Sequence, residues 1–204
     1  MIPILLSFLG ASALLAFSPG PDNIYVLTQS VVNGFKSGLA TTAGLISGCI
    51  VHTTLVAFGV SAIIAASPTL FFVIKLCGAA YLIYLAYTVF KSDEHIALSS
   101  GAPSKSYTAL FKQGVMMNIL NPKVTIFFLA FFPGFLWEPQ GNTVVQFYVL
   151  GGLFMIQSFL IFGSIALLAG SIASFLQRSQ YIGLLFKWLQ IVVFLGIAVY
   201  IVLT

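Results

Sequence analysis

The chain has 204 residues, 60% hydrophobic and 6% charged, with a formal net charge of +4 and a mean hydropathy of +1.10. A water-soluble domain carries about 25% charged residues, so eight basic and four acidic side chains exclude a soluble enzyme, a disordered chain and a nucleic-acid binder. What remains is a bilayer protein, and at about 20 apolar residues per spanning helix the length holds at most about six or seven spans.

The first apolar run covers about 2–32 and is interrupted at Pro19-Gly20-Pro21-Asp22-Asn23. Ala11-Ser12-Ala13 has the pattern of a cleavage site. No Lys or Arg precedes it and the apolar run continues past it, which predicts a membrane helix rather than a signal peptide. The second run covers about 39–66 and stops at Ser67-Pro68, and the third covers about 70–90 and stops at Lys91. A polar stretch, 92–112, holds Asp93, Glu94, His95 and Lys105 and reads as a linker. The fourth run, about 114–136, is interrupted at Asn121-Pro122-Lys123; the fifth covers about 143–175 and the sixth about 182–203. Lipid forces the backbone to satisfy its own hydrogen bonds, and the runs lack the alternation of barrel strands, so all six are expected to be helices.

Basic residues set the orientation. Lys36, Lys91, Lys105, Lys112, Arg178 and Lys187 all fall on one side of the six spans, whereas the opposite loops hold Glu138 and no Lys or Arg. Positive loops face the cytoplasm, which places both termini outside. Trp137 and Trp188, at run ends, fit the interfacial aromatic belt.

The two halves share a plan. The first and fourth runs both break at a proline followed by a charge, Pro21-Asp22 and Pro122-Lys123, 101 positions apart. Three spans per half make the second half enter from the opposite side. The expected fold is therefore an all-α membrane protein of six transmembrane helices in two inverted three-helix repeats, 1–91 and 113–204. The 92–112 linker joins them in the cytoplasm, and helices one and four are broken. Broken helices at corresponding positions of inverted repeats point to a secondary transporter with its site at the breaks.

Asp22 is the first candidate site residue, because a carboxylate within the membrane is costly and functional by default. Its other reading is a cap on the segment starting at Asn23, or a place at the membrane surface. Asn23 either caps that segment or binds substrate. Pro19, Gly20 and Pro21 form the first helix break and Pro122 the second; proline removes a backbone donor and leaves carbonyls open. Lys123 is the second candidate, as a buried partner of Asp22 or a docking point for a substrate carboxylate, with snorkelling the alternative. Asn118 and Asn121 either satisfy broken backbone or hold ligand. Lys75 lies within the third run and either snorkels outward or faces a carboxylate in the bundle. Tyr81, Tyr84 and Tyr87 share one helix face and read as packing and interface residues; His52 reads as a hydrogen-bonded core histidine. Cys49 and Cys77 read as small packing residues, or pair across helices. Gly44-x-x-x-Gly48 and the looser Ala166-x-x-x-Gly170 predict close helix approach.

These residues carry a resemblance. Phe17-Ser18-Pro19-Gly20-Pro21-Asp22-Asn23 with Gly34, Lys36 and Gly38, then Lys75-Leu76-Cys77-Gly78-Ala79-Ala80-Tyr81-Leu82-Ile83-Tyr84-Leu85, then Phe111, Gly114, Asn118 and Asn121-Pro122-Lys123 resemble the signatures of the LysE/RhtB amino-acid exporter superfamily. The resemblance spans the whole chain. It implies export of amino acids or close derivatives from the bacterial cytoplasm across the inner membrane, driven by the proton gradient. The resemblance favours the branch of homoserine, threonine and leucine exporters.

The expected mechanism places Asp22 and Lys123 in one midplane cavity. Asp22 accepts the substrate ammonium and loses a proton when substrate binds; Lys123 and half-helix N–H groups hold the carboxylate. Partners are then an amino acid, protons, the bilayer and a second copy in a possible homodimer, with no cofactor, no metal and no nucleic acid. Three rivals are weaker. A membrane thiol relay needs cysteines at both breaks, whereas both lie in the first half. A metal-ion exporter needs clustered carboxylates, His or thiolates. A membrane enzyme needs a zinc pair or serine elbow, and none is present.

Overall fold

The computed structural model describes residues 1–18, 20–91, 104–178 and 180–203. Pro19 and the 92–103 part of the linker, with Asp93, Glu94 and His95, lie outside the described residues. Within them the chain is all helix: α1 (Ile2–Phe17), α2 (Pro21–Asn33), α3 (Phe35–Leu55), α4 (Ser61–Ala66), α5 (Pro68–Lys91), α6 (Tyr107–Leu120), α7 (Pro122–Phe131), α8 (Thr143–Leu167), α9 (Ala169–Arg178) and α10 (Gln180–Leu203). A wider turn, Val56–Val60, joins α3 to α4 without a break, and a tight turn, Phe132–Phe135, extends α7.

Four stretches are long and apolar enough to cross a membrane: Phe35–Ala66, Thr69–Lys91, Thr143–Leu167 and Gly183–Leu203. Two bent pairs bring the number to six if each pair is one span: α1 with α2, bent by 60°, and α6 with the Pro122–Phe135 segment, bent by 54°. The multi-pass architecture and both broken helices are as the sequence predicts.

Proline chemistry makes both breaks. A residue before proline is pushed out of the helical region, and Gly20 (φ −158°, ψ 178°) and Asn121 (φ −78°, ψ 106°) are both extended. Pro21 and Pro122 each then open a new helix, where a missing N–H costs nothing. Gly34, between α2 and α3, has φ +83°, a conformation that a side chain resists.

The bundle is lined inside with what soluble proteins put outside. Gln29, Thr41, His52, Asn118, Gln146 and Ser158 are buried, while Leu6, Ile50, Phe58, Ile83, Leu160, Leu185 and Val199 are exposed, the apolar exterior a lipid solvent requires. Phe8, Phe127, Phe128, Phe131, Phe132 and Phe135 are fully buried. Their rings stack or meet edge to face, with Phe128 and Phe132 centroids 4.1 Å apart. This aromatic block anchors α7 against α1, and through Phe154 against α8.

Helix α3 meets α6 at backbone contact. A Cβ on Gly44 would strike the Phe111 carbonyl oxygen, one on Gly48 would lie 2.7 Å from Asn118 Oδ1, and one on Gly114 would lie 2.5 Å from the Thr41 carbonyl oxygen. This is the close approach predicted for Gly44 and Gly48. Gly44→Ala is therefore expected to force the helices apart at a cost of about 1–3 kcal/mol. Gly152→Ala, where nothing among the described residues lies within 4 Å, should cost no stability, since alanine is the better helix former. Thermal unfolding of both variants in detergent checks this, and equal melting temperatures would show that the contact does not hold the bundle.

Several sequence expectations shift. Helix α6 begins at Tyr107, inside the expected linker, because the Ser106 hydroxyl caps it by accepting the Ala109 N–H at 3.3 Å. The fifth run divides at Leu168 into α8 and α9. Ala166 packs near Gly38, but Gly170 has nothing among the described residues within 4 Å of a Cβ built on it. Tyr84 and Tyr87 are exposed, which fits the interface part of their reading and not the packing part. Cys49 is buried and Cys77 exposed, both as free thiols.

Candidate functional site

The two breaks meet, and each satisfies polar groups that the other leaves open. A helix broken by proline exposes carbonyls whose N–H partners are missing or turned away. At the first break the Ala16 carbonyl accepts from Asn23 Nδ2 at 2.8 Å, and the Ser18 carbonyl accepts from Lys123 Nζ at 3.3 Å. At the second, the N–H of Lys123 turns to its neighbour and donates to Asn121 Oδ1 at 3.0 Å. Asn121 Nδ2 then reaches across to donate to Asp22 Oδ2 at 3.1 Å. Lys123 thus braces the first break while Asn121 holds the carboxylate of α2.

Between them lies a cavity of about 40 Å³. Its polar wall is Gly20, Asp22, Asn23, Asn118, Asn121 and Lys123. The opposite wall includes Ile46 and Cys49 of α3 and Phe154, Ser158 and Phe162 of α8. At roughly 10–15 Å³ per water, the space suits a few waters and is too small for an amino acid. The site is too narrow in this conformation to seat an amino acid, so a ligand needs the helices to part.

The electrostatics are unbalanced in a specific way. Asp22 is 7% exposed, and its Oδ1 has no hydrogen-bond partner among the described residues. Lys123 is partly buried, with its ammonium 5.1 Å from the centre of the Phe194 ring. It spends one of three donors on Ser18. Asn118 Oδ1, Ser18 Oγ and Ser158 Oγ are also buried without partners among the described residues. Unpartnered buried polar atoms are rare; here three of them, on Asp22, Asn118 and Ser158, line one cavity. The cavity offers a carboxylate at one point, an ammonium at another, and neutral acceptors between.

The structure therefore brings Asp22, Asn23, Asn118, Asn121, Lys123, Gly20 and Pro21 to one place, with Pro122 opening α7 beside them. Lys75 is not among the lining residues. It is 8% exposed on α5, and its ammonium lies 5.7 Å from the ring of Phe71, one turn away on its own helix. Sequence reasoning missed Ser158, Cys49 and the Ser18 carbonyl. Ser158 had a signal: Gln157-Ser158 is a polar pair inside the apolar fifth run, and Gln157 donates to Ser12 at 3.2 Å.

The model of the LysE type translocator family matches residues 13–204. The chain belongs to this family. Among relatives of this translocator, the homoserine/homoserine lactone efflux protein of Salmonella typhimurium is 33% identical over 171 residues, covering 84% of this chain and 82% of the relative. The leucine efflux protein of Salmonella choleraesuis is 30% identical over 157 residues, 75% of this chain and 73% of the relative. No solved structure matches the translocator.

Proposed function

We propose that this translocator exports neutral amino acids from the cytoplasm in exchange for protons, with the cavity between the two breaks as the substrate site. One observation carries the reading: a buried carboxylate with an unpartnered oxygen and a partly engaged ammonium line one narrow cavity in a membrane bundle. A zwitterion supplies the complementary pair. Its ammonium takes Asp22 Oδ1, and its carboxylate takes the remaining donors of Lys123. The α7 N-terminus, which begins beside the cavity at Pro122, favours the same carboxylate through its dipole.

Asp22 carries the proton when no substrate is bound. An arriving ammonium displaces it, and each cycle of outward substrate then admits one proton inward. The lysine-bearing ends of the helices face the cytoplasm in this reading. Lys91 and Lys187 support it, since both lie at the same end of the bundle and Lys187 rests 5.9 Å from the ring of Phe90.

The names of the relatives, homoserine and leucine efflux proteins, favour a small neutral side chain. The cavity's remaining surface suits both kinds: Leu15, Ile46, Phe154 and Phe162 are apolar, whereas Ser158 and Asn118 offer unpartnered polar atoms. Ser158→Ala is expected to weaken uptake of a hydroxyl-bearing amino acid about 10-fold, the worth of one buried hydrogen bond, and to leave leucine uptake unchanged. Competition between homoserine and leucine in the variant reads this directly; parallel losses for both would remove Ser158 from the substrate's side-chain contacts.

The reading as a whole is tested by uptake of a labelled amino-acid panel into proteoliposomes under an imposed proton gradient. Uptake that collapses with the gradient is expected for at least one neutral amino acid. Uptake of none, or uptake indifferent to the gradient, would overturn it.

A further inference from the structure

His52 takes no part in the mechanism above, yet it is 3% exposed on α3, next to the second break. Its Nε2 lies 3.1 Å from the carbonyl oxygen of Asn118. A carbonyl only accepts, so Nε2 carries the proton and donates.

The identity of that carbonyl is the point. In an unbroken helix the Asn118 carbonyl would accept from the N–H four residues on, and that residue is Pro122, which has none. The Asn121 N–H folds back onto the same oxygen at 3.1 Å in a tighter turn. The second donor is His52, from a different helix. Gly48, one turn earlier on α3, lets the Asn118 side chain lie against the α3 backbone. The Phe128 ring, 5.5 Å from the imidazole centroid, holds the imidazole from the α7 side. Helix α3 therefore touches the break at the one carbonyl that proline leaves without its usual donor.

We infer that His52 is a positioning residue of the translocator: its imidazole N–H stands in for the backbone donor missing at Pro122. It thereby latches the α6–α7 break to α3 and sets where Asn118, Asn121 and Lys123 stand. The consequence for transport rests on the cavity being the substrate site; the latch itself does not.

The test uses the full-length protein in lipid nanodiscs and proteoliposomes. Hydrogen–deuterium exchange is followed in the peptide spanning the break, with uptake KM and Vmax measured in parallel. His52→Leu, which has no donor, is expected to speed exchange at the break about 10-fold or more and to raise KM by a similar factor. His52→Gln, which keeps an N–H donor, should restore both to within about threefold.

A double-mutant cycle with Pro122→Ala isolates the cause. Alanine returns a backbone N–H to the Asn118 carbonyl, so in that background His52→Leu should change exchange little. This comparison also stands if either single variant transports poorly. Unchanged exchange in His52→Leu, failure of Gln to rescue, or an equal effect of His52→Leu with and without Pro122 would each overturn the latch. Faster exchange with an unchanged KM would support the latch and count against the cavity as substrate site. A His52→Gln variant that exchanges substrate but no longer responds to the proton gradient would make His52 a proton carrier instead and overturn the positioning role.

Discussion

Asp22→Asn is expected to abolish gradient-driven uptake while leaving the protein folded. The substitution keeps the side chain's size and an acceptor for Asn121 Nδ2, now 3.1 Å away from Asp22 Oδ2. It removes the negative charge and the site that exchanges a proton for the substrate ammonium. A hydrogen bond to a charged group contributes about 1.5–3 kcal/mol, some 10- to 100-fold in affinity, and coupling is lost in addition. Uptake under a proton gradient should fall about 100-fold or more, and substrate-dependent proton movement should vanish. Both are read in one experiment from proteoliposomes carrying a pH-sensitive dye. Substrate-dependent proton movement that survives in Asp22→Asn would show that another group carries the proton.

Lys123→Met should have the second largest effect, and a more selective one. Methionine keeps much of the stem that passes Phe194 but removes the ammonium from both the cavity and the Ser18 carbonyl. Truncating one partner of a buried charge pair costs about 2–5 kcal/mol, so amino-acid affinity should fall about 30-fold or more. Part of that loss is general, because the brace on the first break goes too. An amine analogue lacking the carboxylate separates the two contributions. If Lys123 holds the carboxylate, the amino acid loses far more affinity than the amine; if Lys123 only braces the break, both lose equally. Binding titrations of the two ligands to wild type and variant give the comparison.

Much of this arrangement was legible in the sequence because proline and charge are both costly in a membrane. Pro21-Asp22 and Pro122-Lys123 stand out against apolar runs, and the structure bends at both. The apolar helices, four long enough to span alone and two bent pairs, followed from run length. What the sequence could not give is which orphaned groups find each other. Nothing in the chain order says that Lys123 reaches the Ser18 carbonyl, or that His52 serves the Asn118 carbonyl, since these depend on how two distant helices cross. Lys75 shows the opposite case. A lone charge in an apolar run looks alike whether it faces a cavity or not, and only packing distinguishes them. The helical start at Tyr107 was hidden because a polar stretch reads as a linker until its cap, Ser106, is seen in place.

The most direct test of the central claim uses Cys49, which is buried and lines the cavity. The chain has two cysteines, so Cys77→Ser leaves Cys49 as the sole thiol. A small thiol-specific reagent reaches it only when the helices part, and an amino acid seated between Asp22 and Lys123 blocks the approach. Saturating transported substrate should slow modification of Cys49 about 10-fold or more in reconstituted protein, and an amino acid that is not transported should have no effect. Modification at the same rate with and without saturating substrate would place the substrate elsewhere and contradict the account.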